Sequence, residues 1–292
     1  MHPDEVEIDA GLVLRLIAGQ HPRWSSLPVE PVLPRGTDNA LYRLGSDLVV
    51  RLPRREINVA SLRMELEWLP RLAPRLPLAI PEPLATGSAG PEFPFPWTVY
   101  RWIDGVPATP EHVRDEREAA LDLAGFIAAL RRCDASGGPP PGSRGGPLAP
   151  RDAAVRRALT TLGDEVDAAA VLVRWDEALR APAWEGPGVW VHGDLDARNV
   201  IARDGRIGAV IDFGSLAVGD PACDVMVAWK MLSPATRPSF RAALDADDAT
   251  WTRARGWALS QAVIALGYYT RETNAVLVGE ARRWLEAVLT DP

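Results

Sequence analysis

Residues 189–214 have the sequence VWVHGDLDARNVIARDGRIGAVIDFG. Two apolar stretches within it, Val200–Ala202 and Ile207–Ile211, lie on either side of the pair Asp204-Gly205. An Asp-Gly pair between two short apolar runs is a strong signal for a β-hairpin with a tight turn. We therefore predict a hairpin in the second half of this segment, preceded by a polar loop.

Three polar side chains stand at positions that this hairpin would bring together. Asn199 enters the first predicted strand, Asp212 leaves the second, and Asp194 lies in the preceding loop. Phosphoryl transfer uses a carboxylate that orients the attacking hydroxyl and accepts its proton, and oxygen ligands for the Mg²⁺ that neutralises the phosphates. Asp194 suits the first role, and Asn199 and Asp212 suit the second. The competing interpretation is that these residues only form turns and caps, but it predicts no fixed spacing among them.

The composition indicates a soluble protein and excludes several classes. A chain of 292 residues can form one large domain or two lobes, and we favour two lobes. The formal net charge of −7 argues against a nucleic acid partner; it fits a cationic small partner, although it also serves solubility. Two cysteines, Cys133 and Cys223, lack the spacing of a zinc site. The acidic N-terminus precedes no long apolar run, so we expect no signal peptide, no membrane partner and a cytoplasmic location.

The first part of the chain has the pattern of a small sheet that carries a helix. A helix is predicted over 5–18, and 40–45 with 48–52 predict a β-hairpin. Apolar positions at helical spacing predict a second helix over 56–73. Residues 97–103 predict a further strand.

From about residue 111 the pattern becomes mainly helical. The clearest amphipathic helix covers 116–131, and strong helical patterns cover 251–269 and 274–289. Residues 136–150 are rich in Gly and Pro, and we interpret them as a mobile excursion or a plain spacer.

The segment around His192-Gly-Asp-Leu-Asp-Ala-Arg-Asn199 resembles the catalytic loop of the aminoglycoside phosphotransferase family, within it the macrolide and antibiotic phosphotransferase-like branch. In that family a His-x-Asp unit is followed by Asn five residues after the Asp, and the resemblance extends over about residues 32–289. It implies an α+β, bilobal, protein-kinase-like fold, with a small N-lobe of antiparallel sheet plus helix and a larger, mostly helical C-lobe. The implied boundaries are 1–100 for the N-lobe, 101–105 for the hinge and 106–292 for the C-lobe.

The resemblance also assigns roles to individual residues of the loop. It implies that Asp194 is the catalytic base and that Asn199 and Asp212 are magnesium ligands. His192 would pack the loop, and Asp224 would accept backbone hydrogen bonds from it as structural support.

Four positions depart from the family pattern. Asp196 stands where His is usual, and Ala197-Arg198 stand where Pro-Gly is common. Arg51 stands where kinase folds usually have Lys, but a guanidinium can bridge phosphate oxygens. The chain uses Arg for 31 of its 32 basic residues, with Lys230 as the exception, so we do not interpret Arg51 as a loss of activity.

The same resemblance predicts the nucleotide contacts. Arg51 would bind the α- and β-phosphates and pair with Glu65 on the following helix, with Glu67 as the reserve partner. The hydroxyl of Thr37 would approach the β-phosphate. Hinge residues that would bind the purine are Arg101, Trp102 and Ile103.

These expectations predict a kinase that uses ATP or GTP with Mg²⁺ to phosphorylate a hydroxyl of a small molecule, as a monomer or dimer. The expected acceptor is an antibiotic, a macrolide or an aminoglycoside. A kinase of an amino alcohol or a sugar, and a nucleotide-binding pseudokinase, are alternatives. So is a metal-dependent hydrolase that uses His192, Asp194, Asp196 and Asp212. Candidate acceptor contacts, which helix packing explains equally well, are Trp251, Trp257, Tyr268, Tyr269 and Glu272.

Overall fold

The computed structural model describes residues 5–33 and 38–291, in which helices and strands are mixed. The α-helices are α1 (Ala10–Gln20), α2 (Val59–Leu72), α3 (Glu116–Arg131), α4 (Asp152–Leu162), α5 (Ala168–Arg180), α6 (Ala222–Val225), α7 (Val227–Met231), α8 (Arg237–Ala243), α9 (Asp248–Tyr268) and α10 (Arg271–Leu289). The β-strands are β1 (Val29–Pro31), β2 (Asn39–Leu44), β3 (Leu48–Pro53), β4 (Pro83–Gly87), β5 (Trp97–Arg101), β6 (Val106–Pro107), β7 (Val189–Val191), β8 (Val200–Arg203), β9 (Arg206–Val210) and β10 (Ala217–Gly219). The predicted α+β class is confirmed.

The chain folds into two compact units. The first unit runs to Gly105 and also takes in Ala209–Gly214. The second unit holds Val106–Gly208 and continues from Ser215 to the C-terminus. Asp194 and Asn199 therefore belong to the second unit, and Asp212 belongs to the first.

An antiparallel sheet in the order β1-β2-β3-β5-β4 forms the body of the first unit. Strands β2 and β3 form the predicted hairpin, with Gly45 in the turn at φ +63°. Because side chains alternate along a strand, Val50 and Leu52 point into an apolar core shared with α1, and Arg51 lies on the opposite face. The alternation that builds the core thus also places a charged side chain on the other side of β3.

Helix α2 buries one row of side chains. Its buried residues include Leu62, Glu65, Leu69 and Leu72, which recur at the three- and four-residue spacing of one helix face. Glu65 is fully buried although it is charged, because it occupies a position in this otherwise apolar row. The helical period therefore carries a carboxylate into the interior of the first unit.

The long helix α9 is packed on several sides in the second unit, against α4, α5, α6 and α10. Its small residues allow close approach: a Cβ at Gly256 would lie 2.4 Å from the Ala178 Cβ, and one at Gly267 would lie 2.8 Å from the Ala158 Cβ. Across residues 5–33 and 38–291, no helix combines the length and the apolar character needed to cross a membrane.

The predicted hairpin around Asp204-Gly205 is formed by β8 and β9. Asp204 has φ 54° and Gly205 has φ 83°, so both turn residues are left-handed, as a two-residue type I′ turn requires. Strand β6 pairs with the other side of β8, which gives a three-stranded sheet, and β7 pairs with β10. The loop between β7 and β8 is therefore anchored by a strand at each end.

The Gly/Pro-rich segment 136–150 is not the plain spacer that its composition suggests. The backbone N–H of Val218 donates to the Pro139 carbonyl at 2.8 Å, and that of Asp220 donates to the Gly145 carbonyl at 2.7 Å. A Cβ at Gly138 would lie 2.4 Å from the Val218 Cγ2, so the segment packs too closely for a side chain there. Its glycines permit contact with β10, which is a packing role that composition alone does not reveal.

Candidate active site

A buried carboxylate fixes the start of the loop between β7 and β8. Asp224 accepts hydrogen bonds from the backbone N–H groups of His192 and Gly193, both at 2.8 Å. Burial raises the pKa of Asp224 above its ordinary value, and His192 with the two N–H groups partly offsets that rise. Gly193 has φ +86°, and a Cβ there would lie 2.7 Å from the Ser215 carbonyl oxygen. Asp224 therefore holds a turn that only glycine fits.

The backbone around Asp194 is held by three further hydrogen bonds. The Asp194 N–H donates to Nδ1 of His192 at 3.2 Å, and the Asn199 Nδ2 donates to the Asp194 carbonyl at 2.9 Å. The Asn199 N–H donates to the Asp196 carbonyl at 3.0 Å. The Asp194 side chain is nevertheless 31% exposed. A fixed backbone with an accessible carboxylate is the arrangement that a general base requires.

Asp196, where the family usually has His, is buried beside two cations. Its carboxylate accepts from the Arg198 backbone N–H at 2.9 Å and from the Arg198 Nη2 at 2.6 Å, and Lys230 Nζ lies 3.4 Å away. Burial acts to raise the pKa of Asp196, but Lys230 and Arg198 outweigh it and lower that pKa to about 2. The aspartate at this position is thus held in its charged form by two cations.

The lysine in this cluster is the chain's single lysine, and the sequence did not mark it as a site residue. Lys230 is fully buried in its side chain, and its Nζ lies 3.7 Å from Oδ1 of Asp194. The Nζ also donates to Oε1 of Gln261 at 3.1 Å and lies 4.4 Å from the centre of the Trp284 ring. Only the contrast of one lysine with 31 arginines could have drawn attention to it.

A second cation that the sequence did not mark approaches Asp194 from the 136–150 segment. The Arg144 Nη2 lies 3.9 Å from the Asp194 Oδ1, and the Arg144 side chain is 24% exposed. The accessible carboxylate in this loop is thus flanked by Arg144 and Lys230.

In the first unit, Arg51 and Glu65 form an ion pair between β3 and α2. The Tyr100 hydroxyl donates to Oε2 of Glu65 at 2.9 Å. The Asn39 amide is oriented with its oxygen toward Arg51, where it accepts from Nη2 at 2.9 Å and from Nε at 3.2 Å. Glu67, the reserve partner, instead lies 3.6 Å from Arg71 on the exposed side of α2. The helical register therefore brings Glu65, and not Glu67, to Arg51.

The charges in this cluster reinforce one another. Burial acts to lower the pKa of Arg51, but Glu65 and Asp212 outweigh it and raise that pKa. Burial and the Glu65 carboxylate raise the pKa of Tyr100, so its hydroxyl stays protonated and donates. The guanidinium is thus held charged and oriented.

Asp212 follows β9 in the left-handed region, with φ +62°, which is uncommon outside glycine. Its Oδ1 lies 3.9 Å from the Arg51 Nη2, and its side chain is 58% exposed. Phe213, the next residue, is fully buried. Phe213 anchors the turn, and the Asp212 carboxylate is left accessible as an oxygen donor.

The other predicted nucleotide contacts are Thr37 and the hinge residues Arg101, Trp102 and Ile103. Thr37 lies outside the described residues. Arg101 ends β5 and is paired with β3, and the Trp102 N–H donates to the Asp47 carbonyl at 2.8 Å. The Ile103 N–H makes no hydrogen bond with another described residue, so it is the available donor of this stretch.

The candidate acceptor residues of α9 and α10 differ in their surroundings. Trp257 is buried, and Trp251 packs against Trp229 with ring centres 4.6 Å apart. Tyr268 is 67% exposed and meets the ring of Tyr269 edge-on. Glu272 is exposed. Core packing accounts for the two tryptophans, so they do not identify an acceptor site.

Two of the four side chains that a metal-dependent hydrolase would use are engaged elsewhere. His192 is buried with Nδ1 accepting a hydrogen bond, and the Asp196 carboxylate is bound by Arg198. Among residues 5–33 and 38–291, no group of three His, Cys, Asp or Glu side chains is arranged to hold a metal ion. The hydrolase alternative therefore lacks its ligand set.

A loop carboxylate set on a buried aspartate, and a strand arginine paired with a helix glutamate, fit the class of kinase-like phosphotransferases. The chain belongs to the phosphotransferase enzyme family, whose sequence profile matches residues 31–257. Comparison with curated proteins gives no match. The expected family and fold are confirmed.

Solved structures of similar fold include aminoglycoside and macrolide phosphotransferases. The GDP complex of wild-type aminoglycoside 2'-phosphotransferase-IIIa has 20% identity and a TM-score of 0.75, covering 97% of this chain and 99% of that chain. The GDP and kanamycin complex of APH(2")-IIia has 21% identity and a TM-score of 0.74, covering 94% and 97%. The apoenzyme of macrolide 2'-phosphotransferase MphH from Brachybacterium faecium has 27% identity and a TM-score of 0.61, covering 98% and 99%.

Proposed function

We propose that the protein transfers the γ-phosphate of ATP or GTP to a hydroxyl of a small molecule, and that this acceptor is an antibiotic, a macrolide or an aminoglycoside. Family membership supports the reaction class. Two of the similar structures, a macrolide 2'-phosphotransferase and a complex of APH(2")-IIia with GDP and kanamycin, support the acceptor and donor classes.

The observation that carries the proposal is the combination of a fixed backbone and an accessible carboxylate at Asp194. Hydrogen bonds fix its backbone on both sides, yet its carboxylate is partly exposed. In the proposed reaction this carboxylate accepts a hydrogen bond from the acceptor hydroxyl and takes its proton as the new O–P bond forms. Asp224 and His192 hold the loop in place by accepting hydrogen bonds from its backbone N–H groups.

Asn199 and Asp212 fit the proposed role of magnesium ligands by their chemistry. The Asn199 Nδ2 is used by the Asp194 carbonyl, which leaves the amide oxygen for a ligand, and the Asp212 carboxylate is exposed. Carboxylate and amide oxygens are hard donors, and magnesium bound to nucleotide needs few of them from the protein. Bound magnesium would neutralise phosphate charge.

The proposed nucleotide contacts are Arg51, Glu65, Thr37 and the hinge residues Arg101, Trp102 and Ile103. Arg51, oriented by Glu65, offers a charged fork to phosphate oxygens. The Ile103 N–H offers a backbone donor to the purine edge.

Transfer to an amino alcohol or a sugar is the second outcome that the test must separate. Purified protein would be incubated with ATP or GTP, with and without Mg²⁺, and with macrolides, aminoglycosides, amino alcohols and sugars in separate reactions. Mass spectrometry would detect the phosphorylated product. We expect a phosphate monoester on an antibiotic that depends on nucleotide and Mg²⁺.

The matched controls are Asp194→Asn and Asp164→Asn, since Asp164 is an exposed aspartate of the same unit. We expect Asp194→Asn to lower kcat by about 10²-fold or more, and Asp164→Asn to leave it unchanged. Nucleotide binding without turnover in every reaction would instead support a pseudokinase. Turnover of a sugar or amino alcohol alone would replace the antibiotic.

A further inference from the structure

The Arg144 guanidinium makes fewer hydrogen bonds than it has N–H donors. A guanidinium carries five N–H donors. The Nη1 donates to the Ser143 carbonyl at 3.4 Å, a long hydrogen bond. The Nε is buried and has no hydrogen-bond partner among the described residues. The Nη2 lies 3.9 Å from the Asp194 Oδ1, beyond hydrogen-bond length.

The backbone that carries this side chain is fixed against the catalytic loop. The Gly145 N–H donates to the Cys223 Sγ at 3.2 Å, and the Gly145 carbonyl accepts from the Asp220 N–H at 2.7 Å. A Cβ at Gly193 would lie only 3.0 Å from the Arg144 Cβ, so the root of Arg144 packs on the turn that precedes Asp194. The backbone and Cβ of Arg144 are therefore held in place beside the turn that leads to Asp194.

A second guanidinium lies nearby and has partners of its own. The Arg151 Nε donates to the Ser260 Oγ at 2.9 Å, and its Nη1 donates to the Ser143 carbonyl at 3.2 Å. Burial, together with the positive charge of Arg144, lowers the pKa of Arg151 to about 10. An oxyanion at this place would accept from the unpartnered donors of Arg144 and would relieve the repulsion between the two neighbouring cations.

We propose that Arg144 is a further catalytic residue, whose guanidinium binds an oxygen of the phosphoryl group during its transfer to the hydroxyl held by Asp194. The inference rests on the proposed function. In that step the acceptor oxygen forms a bond to the γ-phosphorus, and the bond from this phosphorus to the β–γ bridging oxygen breaks. The hydroxyl proton goes to Asp194, and the nucleoside diphosphate leaves.

The distances fit this assignment. A hydroxyl that donates to Asp194 lies about 2.7 Å from its carboxylate, and the phosphoryl oxygens lie two bonds further out, on the far side of the phosphorus. The gap of 3.9 Å between Nη2 and Oδ1 is too long for a direct hydrogen bond but short enough for both groups to contact the reacting atoms. Donors that meet charge as it develops in the transition state act mainly on kcat.

The test compares Arg144→Ala, Arg144→Lys and the matched control Arg157→Ala, since Arg157 is an exposed arginine of the same unit. Steady-state kcat and KM would be measured with the acceptor found for the wild type and with water, as Mg²⁺-dependent nucleotide hydrolysis. We expect Arg144→Ala to lower kcat by about 10²-fold, with little change in the KM for the nucleotide or for the acceptor. Arg144→Lys should recover part of the loss, and added guanidinium ion should raise kcat of Arg144→Ala but not of Arg157→Ala.

The outcomes separate the two proposals. If the wild type transfers phosphate and Arg144→Ala keeps kcat within about threefold, the role of Arg144 is overturned while the proposed function stands. Wild-type protein without transfer to any acceptor or water would overturn both. If Arg144→Ala does not fold, Arg144→Lys decides. Wild-type kcat in a folded Arg144→Lys protein would overturn the need for the guanidinium fork.

Discussion

The Lys230 Nζ lies 3.4 Å from the Asp196 Oδ2, and both side chains are almost entirely buried. The pair ties α7 to the candidate catalytic loop. Because Asp194 Oδ1 lies 3.7 Å from the same Nζ, one buried ammonium serves both aspartates.

Removing that ammonium should destabilise the fold. We expect Lys230→Met to lower the free energy of unfolding by about 3 kcal/mol, since it leaves the Asp196 carboxylate with one cation fewer. Urea denaturation would measure the loss. The double variant Lys230→Met with Asp196→Asn should recover about 2 kcal/mol of the summed single losses. Strictly additive losses would show that the two side chains do not interact.

Asp196 should also make stability depend on pH. Its pKa is lowered from 3.8 to about 2 in the folded protein, so its ionised form contributes stability that is present above the unfolded pKa. That contribution is lost as the pH falls through the folded pKa. We expect the difference in unfolding free energy between wild type and Asp196→Asn to shrink as the pH falls from about 4 to about 2. A difference independent of pH in that window would contradict the assignment.

Asp212 should act on the nucleotide through magnesium. We expect Asp212→Asn to abolish turnover and to weaken nucleotide binding when Mg²⁺ is present, with no change when Mg²⁺ is chelated. Calorimetric titration with and without a chelator would separate the two conditions. Retained turnover, or an equal loss of affinity in both conditions, would argue against a metal-binding role.

Glu65 and Glu67 provide a matched pair on one helix. Glu65 is buried against Arg51, whereas Glu67 lies beside the exposed Arg71. We expect Glu65→Gln to raise the KM for nucleotide by about tenfold, because Arg51 loses a charged partner, and Glu67→Gln to have no effect. Equal effects of the two substitutions would show that the ion pair does not orient Arg51 for phosphate.

The cations beside Asp194 should influence the choice of acceptor. Arg144 and Lys230 both lie within 4 Å of its carboxylate, at 3.9 Å and 3.7 Å. A polycationic acceptor would meet repulsion there. We expect kcat/KM to be higher for a macrolide with one amine than for an aminoglycoside with several. A wild-type preference for the aminoglycoside would contradict this ordering.

Local patterns predicted the parts of the site that depend on neighbours in sequence. The hairpin turn at Asp204-Gly205 and the helix that carries Glu65 follow from turn chemistry and helical period. Both confirmed features need only short stretches of chain. The catalytic roles of Asp194, Asn199 and Asp212 stay predictions until they are tested.

Long-range proximity could not be predicted in the same way. Arg144 and Lys230 meet Asp194 from segments 50 and 36 residues away, and no periodicity links those positions. The Gly/Pro-rich composition of 136–150 predicted a spacer because it describes backbone freedom. The contacts that use this freedom, such as the one between Gly138 and Val218, arise only in the folded chain.

A chain with one lysine carries its own reporter. The Lys230 side chain is fully buried, so a lysine-acylating reagent can reach it only when the packing between α7 and the catalytic loop opens. Peptide mass spectrometry would separate the label on Lys230 from the label on the N-terminal amine, which also reacts. The rate of labelling would then measure how often the packing around Lys230 opens, and whether a bound substrate slows that opening.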